Sequence, residues 1–519
     1  MSTARTSAAA LHGVTASLVE VEADLGNGIP GFVLLGLPDA SLNEARERIK
    51  AAARNSGMPL ANRKLTVNLS PATLPKYGSG FDLAIVIAAL AADQQLLASA
   101  DTLYMAELGL DGTLRPVPGV LPAVQLAKAH GLKNIVVAEA NGAEAKLVSG
   151  VEVIAVRHLG QVLRACGAPA DQITTYMRHR LPQQLSTQAK HDSTGLDPDE
   201  LDLSLVNGQQ EARLALELAA AGGHHLIMVG PAGAGKTMLA KCLPTILPPL
   251  NDQQALEATA VHSISRGASD ELTQLQRIPP FVAPHHTASR SALIGGGTAQ
   301  LIPGAITRAH HGILFLDEAA QFQGGVLDAL RQPIEEGYID LARIRGHQHL
   351  PARFQLIMAS NPCPCGKNFG TGTGCTCTPM ARRRYFARLS GPILDRVDLQ
   401  VRVNPVPQAQ LLSPAPNETS GQVRDRVLAT RARSQQRLRN FAIHCNAQIP
   451  TQILRKELKY PSKTKAALEE LATRRGLSAR AIHRLLRVAW TVADQQQHAS
   501  PTTDDLAIAA HLRQNLENS

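Results

Sequence analysis

Aromatic side chains are scarce. Phe, Tyr and Trp together make up 3% of the 519 residues, with a single Trp. Base stacking on aromatic platforms is therefore not expected to dominate any nucleic-acid binding, and contact through phosphates fits better. Long apolar runs are missing too. The cleanest, Phe81 to Ala92, is interrupted by Asp82, and none reaches the roughly 18 residues that cross a bilayer. No membrane partner is expected. Met1 to Ala10 lack a cationic segment followed by a long apolar one, so no secretory leader is expected and the cytoplasm is the expected compartment. Cysteines number seven, four of them between Cys363 and Cys377, which is unlike a secreted disulfide scaffold.

What remains is an ordinary globular composition, 44% apolar, in a chain long enough for about three domains. The formal net charge is +9, with Arg supplying most of the positive charge; this balance favours polyanionic partners, nucleic acid above all. Residues 1–167 alternate β-type runs (Leu65 to Leu69, Val151 to Val156) with helical ones (Leu42 to Asn55, Phe81 to Ala92, Val120 to His130), so a self-contained α/β domain is expected. Residues 168–199 are rich in Gln, Ser, Thr and Asp and read as a linker. A second α/β segment spans 200–405, a loop follows, and 422–519 reads as helical.

The strongest motif is Gly230-Pro231-Ala232-Gly233-Ala234-Gly235-Lys236-Thr237, a complete phosphate-binding loop between an apolar strand, Leu226 to Val229, and a helix. Glycines let the backbone wrap a phosphate with its N–H groups inward, and the helix start adds a favourable partial charge. ATP and Mg²⁺ are the expected cofactors. Lys236 would reach the β- and γ-phosphates, and Thr237 would help to hold Mg²⁺. A second apolar strand, Gly312 to Leu316, ends in Asp317 and Glu318. Asp317 would join the Mg²⁺ shell, and Glu318 would polarise the attacking water. A third strand, Phe354 to Ser360, ends in Asn361, an amide placed to hold that water or the γ-phosphate.

Two arginines extend this catalytic set. Arg396, in Leu394 to Asp398, is expected to reach a neighbouring subunit's γ-phosphate, the alternative being an ion pair with Asp395 or Asp398. Arg480 opens a helix on which His483, Arg484 and Arg487 share its face and Ile482, Leu485, Leu486 and Ala489 form another. It would touch nucleotide and couple hydrolysis to the helical domain; a solvated basic face also fits. Arg382 to Arg384, and Arg431, Arg433, Arg437 and Arg439, could track DNA phosphates or simply face water. Cys363, Cys365, Cys375 and Cys377 form two C-x-C pairs across a loop rich in Gly and Thr. Both a tetrahedral zinc site and four reduced thiols fit that spacing.

Further runs carry a resemblance. Leu205 to Ala212, Ala219 to His225, Ala283 to Ser289, Leu301 to Ile306, Phe315 to Glu318 and Asn361 to Gly366 resemble the ComM/YifB family of magnesium-chelatase-like AAA+ ATPases, over nearly the whole chain. The resemblance implies an insertion that would include Pro284 to Gly297. It also implies a hairpin near Ile339 to Pro351, whose Arg343, Arg345 and His347 would grip DNA phosphates in a ring's pore. It further implies a hexameric motor that moves single-stranded and branched DNA, promoting branch migration in natural transformation. Val67 to Pro71, Leu74 to Asp82 and Glu107 to Val117 resemble the Lon-protease-like domain. The place of the family's serine nucleophile falls near Gly80, that of its lysine near Pro122 to Val124, and nearby Ser79 has no evident partner, so no peptidase activity is expected.

The fold class expected is therefore α/β: an N-terminal Lon-like domain, a central P-loop AAA+ parallel-sheet domain and a C-terminal helical lid. A magnesium-chelatase motor subunit, an ATP-dependent protease and a non-enzymatic DNA-binding module are the competing functions.

Overall fold

In the computed structural model the chain opens with two long strands, Ser2–His12 and Thr15–Gly26, paired antiparallel from Ser2↔Leu25 to His12↔Thr15. The structure describes residues 2–36, 40–174, 201–265, 272–297, 302–343, 346–369, 374–389, 391–406, 417–441 and 443–513. Lys64–Ser70 pairs with the second strand, and Gly31–Leu35, Thr102–Met105, Asn134–Ala138 and Glu152–Val156 complete a seven-stranded mixed sheet. Lys64–Ser70 alternates buried and less buried residues, the mark of a strand with one face on a core. The helix Asp82–Ala92 fills that core and is buried on nearly every side, which explains its apolar composition after Asp82. Asp82, the interruption, is fully buried and takes the Arg48 guanidinium at 2.9 Å; burial nevertheless raises its carboxyl pKa to about 6. A short helix, Ala170–Thr174, carries buried Ile173 into the same core, so this unit continues past Gly167 into the segment expected as linker.

The middle of the chain folds into a five-stranded parallel sheet. Its spatial order is Phe281–Val282, Ile313–Leu316, Gln355–Ser360, Leu226–Val229 and Leu399–Arg402. Every pairing is parallel. The central strands are buried along their length, as expected of continuous apolar runs covered on both faces. The strand before the P-loop lies between the third strand and the last, and such a reversal of strand order opens a crevice at the carboxyl ends. Two hairpins leave the sheet: Gly295–Gly296 with Ile302–Pro303, and Tyr338–Arg343 with Gly346–Pro351.

Helices Ser420–Leu438, Thr451–Lys456, Ser462–Arg475, Ala479–Gln495 and Thr503–His511 form the C-terminal lid. Three of them enter the core of the parallel-sheet domain, through Val423 and Val427, through Leu485, Val488 and Val492, and through Leu506 and Ala509. The N-terminal unit docks on the helix Asp252–Ser265: Ala260 enters its core, the Gly119 amide donates to the Ser263 carbonyl, and the Ser263 hydroxyl donates to buried Glu144. No helix among the described residues is long and apolar enough to cross a membrane.

Candidate nucleotide site

The site assembles at the carboxyl ends of adjacent strands. Gly230 follows the strand Leu226–Val229; a Cβ there would lie 2.1 Å from the Val403 carbonyl oxygen, so only glycine fits against the backbone beside it. Gly233 and Gly235 adopt positive φ, +76° and +87°, and a Cβ built on either would have nothing within 4 Å. The loop is therefore an open cradle of backbone amides at a helix start, the geometry that takes a polyphosphate. Lys236 begins the helix Lys236–Ile246 and is buried. Its Nζ donates to the carbonyls of Gly230 (2.7 Å) and Pro231 (2.8 Å) and to Asn361 Oδ1 (3.2 Å). Burial lowers its pKa.

Ile313, Leu314, Phe315 and Leu316 are buried and bring Asp317 and Glu318 to the same rim. Thr237 Oγ1 donates to Asp317 Oδ2 at 2.8 Å, so the hydroxyl and carboxylate that would share a magnesium ion already face each other. Asp317 Oδ1 accepts the Glu318 amide at 2.9 Å, and Glu318 takes a left-handed backbone, φ +51°. The cradle, the buried lysine and the hydroxyl–carboxylate pair fit ATP with Mg²⁺.

Two residues join the site and a third engages its arginines away from the cradle, none of them assigned a role there from the sequence. His286 follows the edge strand Phe281–Val282, and its Nδ1 lies 3.3 Å from Glu318 Oε2. Its position just past a parallel strand, like that of Asp317 and Asn361, was the available signal. Gln209 donates through Nε2 to the Ala234 carbonyl (3.1 Å) and to that of Asn404, tying the P-loop to the chain after the last strand. Glu335 is the third. Arg396 Nη2 lies 2.9 Å and Arg480 Nη2 3.0 Å from the same Glu335 Oε1. Arg396 also donates to the Pro392 carbonyl, and Arg480 reaches Asp395 at 3.3 Å. Arg396 thus pairs with neither Asp395 nor Asp398, and both guanidiniums are engaged at Glu335 rather than at the P-loop.

Arg431, Arg433, Arg437, Arg484 and Arg487 of the lid point inward, against the expectation of a basic stripe, whereas Arg439 is exposed. Arg484 is buried, and its Nη1 donates to Asp398 Oδ1 and to the Arg396 carbonyl, both at 2.7 Å. Asp398 also lies 3.2 Å from His224 Nδ1; the His224 hydrogen bond and the nearby Arg484 hold its pKa well below the usual carboxylate range despite burial. Arg487 donates to the Ile449 carbonyl and Arg431 to that of Ala220. Arg433 donates to the Asp494 carbonyl, and Arg437 pairs with the Asp494 carboxylate beneath Trp490. These groups brace the lid and are not available to DNA. Arg382 donates to Asn368. Arg345 lies outside the described residues, as do the side chains of Arg343 and His347, although the hairpin backbone is paired as far as Arg343↔Gly346. The insertion residues Arg290–Ile294 form a short helix before the first hairpin.

Residues 202–411 match the family described as magnesium chelatase, subunit ChlI, residues 21–141 match subunit ChlI of Mg-chelatase, and residues 417–513 match its C-terminal part. The chain is 42% identical over 489 residues to competence protein ComM of Haemophilus influenzae, covering 93% of this chain and 92% of that one. It is 40% identical over 505 residues to protein YifB of Escherichia coli, covering 96% and 95%. The chain belongs to the ComM/YifB family of magnesium-chelatase-like AAA+ proteins. An uncharacterised protein of Mycobacterium tuberculosis strain H37Rv is 44% identical over 519 residues, 99% of each chain. Family membership accounts for the mixed α/β architecture with its parallel AAA+ sheet, and suggests ATPase activity with use of ATP and Mg²⁺. In the N-terminal unit Ser79 does have a partner: its hydroxyl donates to Glu107. Lys76, fully buried, donates to the carbonyls of Gly36 and Leu69 and to that of Pro71.

Proposed function

We propose that this ComM/YifB-family protein is a ring-forming, most simply hexameric, ATP-driven motor that moves single-stranded and branched DNA, and that it promotes branch migration in recombination and natural transformation. One observation carries the motor reading. Lys236, Thr237, Asp317 and Asn361 converge on one cradle with Glu318 beside them, while Arg396 and Arg480 meet elsewhere, on Glu335. A site that needs an arginine to stabilise transition-state charge then has to borrow it from a second copy, and copies joined head to tail close into a ring. The amides of Gly233 to Thr237 and Lys236 would hold the phosphates, and Thr237 and Asp317 would hold Mg²⁺, which supplies charge neutralisation. Glu318 would accept the proton of the attacking water, with Asn361 fixing its position.

The DNA reading rests on the 42% identity to a protein named for competence and on the paired strands Tyr338–Arg343 and Gly346–Pro351, where Arg343, Arg345 and His347 would grip phosphates. The N-terminal unit is read as a non-peptidase: Ser79 engages a carboxylate, and Lys76 is held by backbone carbonyls, so no Ser–Lys couple is formed. Strand exchange on a three-stranded DNA joint tests the proposal. Single-stranded DNA should raise ATP turnover, and Lys236→Ala should abolish turnover and strand movement together. A Lys236→Ala protein that moves the joint at the normal rate would refute the motor; turnover indifferent to DNA would refute the substrate.

A further inference from the structure

The loop after the Asn361 strand carries chemistry that nucleotide hydrolysis does not use. Cys363, Cys365, Cys375 and Cys377 bring their four Sγ atoms within 4.8 Å of one another. Cys363 and Cys365 are 3.3 Å apart, and each lies 3.7 Å from Cys375. Thiolates at the corners of a tetrahedron with Zn–S bonds of about 2.3 Å stand about 3.8 Å apart, so the spacing is that of ligands around one ion. All four are free thiols, and Cys363 is buried. The surroundings are those of a thiolate site. The Asn368 amide donates to Cys363 Sγ at 3.3 Å, and Arg382 donates to the Asn368 side chain at 2.7 Å, bringing a cation to the edge of the cluster.

The cluster also touches the nucleotide site. Gly366, turned back by its amide on the Cys363 carbonyl, would place a Cβ 3.9 Å from both the Ala232 amide nitrogen and Asn361 Cγ. The cysteine knuckle therefore abuts the P-loop and begins two residues after the amide that meets Lys236.

We propose that Cys363, Cys365, Cys375 and Cys377 bind one Zn²⁺ as a tetrathiolate, and that the metal holds Asn361 against the P-loop so that hydrolysis depends on it. Binding releases the thiol protons to solvent and closes the loop without any change of oxidation state. The second clause rests on the ATPase reading above; the first does not.

The test uses the full-length protein purified without chelator. Elemental analysis should find about one zinc per chain, and protein produced with Co²⁺ should show the visible d–d and thiolate charge-transfer bands of a tetrahedral CoS4 centre. Stripping zinc from the wild type with a mercurial, then removing the mercurial with excess thiol, should lower kcat roughly ten- to hundredfold with little change in the KM for ATP, and added Zn²⁺ should restore it. Cys375→Ser and Cys377→Ser should lose the metal and show the same split. A folded chain without metal, whose four thiols react freely or oxidise in pairs, overturns the site. Zinc whose removal leaves kcat unchanged overturns the coupling. A zinc-loaded chain without ATP turnover overturns the coupling and the motor together, while the cobalt spectrum still decides the site.

Discussion

Arg396 offers the sharpest check on the ring. Within one chain its side chain, 11% exposed, is tied to that of Glu335, 40% exposed, so the ion pair is worth on the order of 1 kcal/mol. An arginine reaching a γ-phosphate is worth roughly 10³–10⁵ in rate, or about 4–7 kcal/mol. Giving up Glu335 therefore costs far less than the transition state gains, and Arg396→Ala should cost turnover by a factor in that range. The decisive form of the experiment mixes two inactive proteins. Arg396→Ala subunits keep the P-loop, and Lys236→Ala subunits keep the arginine. In rings assembled at random from equal amounts, about one interface in four joins an intact Lys236 to an intact Arg396. Turnover should recover toward about that fraction of wild type, read by phosphate release after co-assembly with nucleotide. If Arg396 serves its own chain, no pairing restores a site, and mixtures no more active than their parents would refute the reasoning.

Other outcomes follow from the same geometry. Glu318→Gln should retain ATP binding, measured by nucleotide-dependent melting, while turnover falls roughly 10²–10⁴-fold; near-normal turnover would remove Glu318 from the proton path. Gly230→Ala drives a methyl onto the Val403 carbonyl and should destabilise the central domain by about 1–3 kcal/mol in urea titration; an unchanged midpoint would contradict the packing there. His310 is buried, its Nδ1 accepts the Arg353 amide at 3.1 Å and its Nε2 faces Glu257; burial and the neighbouring His311 lower its pKa to about 4 despite that carboxylate. Because the folded state keeps His310 neutral, its contribution is complete above the ordinary pKa of 6.5 and is lost as pH falls toward about 4, up to about 3 kcal/mol. Urea unfolding across that window should show the loss, and His310→Gln, able to accept the same amide, should flatten it.

Much of the nucleotide site was legible because each part sits where an apolar run stops. Leu226–Val229, Ile313–Leu316 and Gln355–Ser360 are uninterrupted enough to read as buried parallel strands, and the polar residues just past them have to gather at one edge. His286 obeyed the same rule, but its strand has only two residues and offered no run to read. Glu335 was invisible because its pairing joins segments 61 and 145 residues away. The arginines of the lid were misjudged for a different reason. Helical spacing tells which residues share a face but not what covers it. Here carbonyls of Ala220 and Ile449, and carboxylates of Asp398 and Asp494, lay waiting in other segments. The first strand of the opening hairpin, rich in alanine, carries little alternation, whereas the second alternates from Val19 to Leu25 and was legible but not read.

Arg484 belongs to the lid yet grips the backbone carbonyl of Arg396, just before the amino end of a strand whose parallel neighbour carries the phosphate cradle at its carboxyl end. The two are riveted through Asp398 in a buried joint. Any swing of the lid must therefore carry with it the arm this subunit would extend toward the next. Around a closed assembly, motion in one member would be handed on as a change in its neighbour's reactivity.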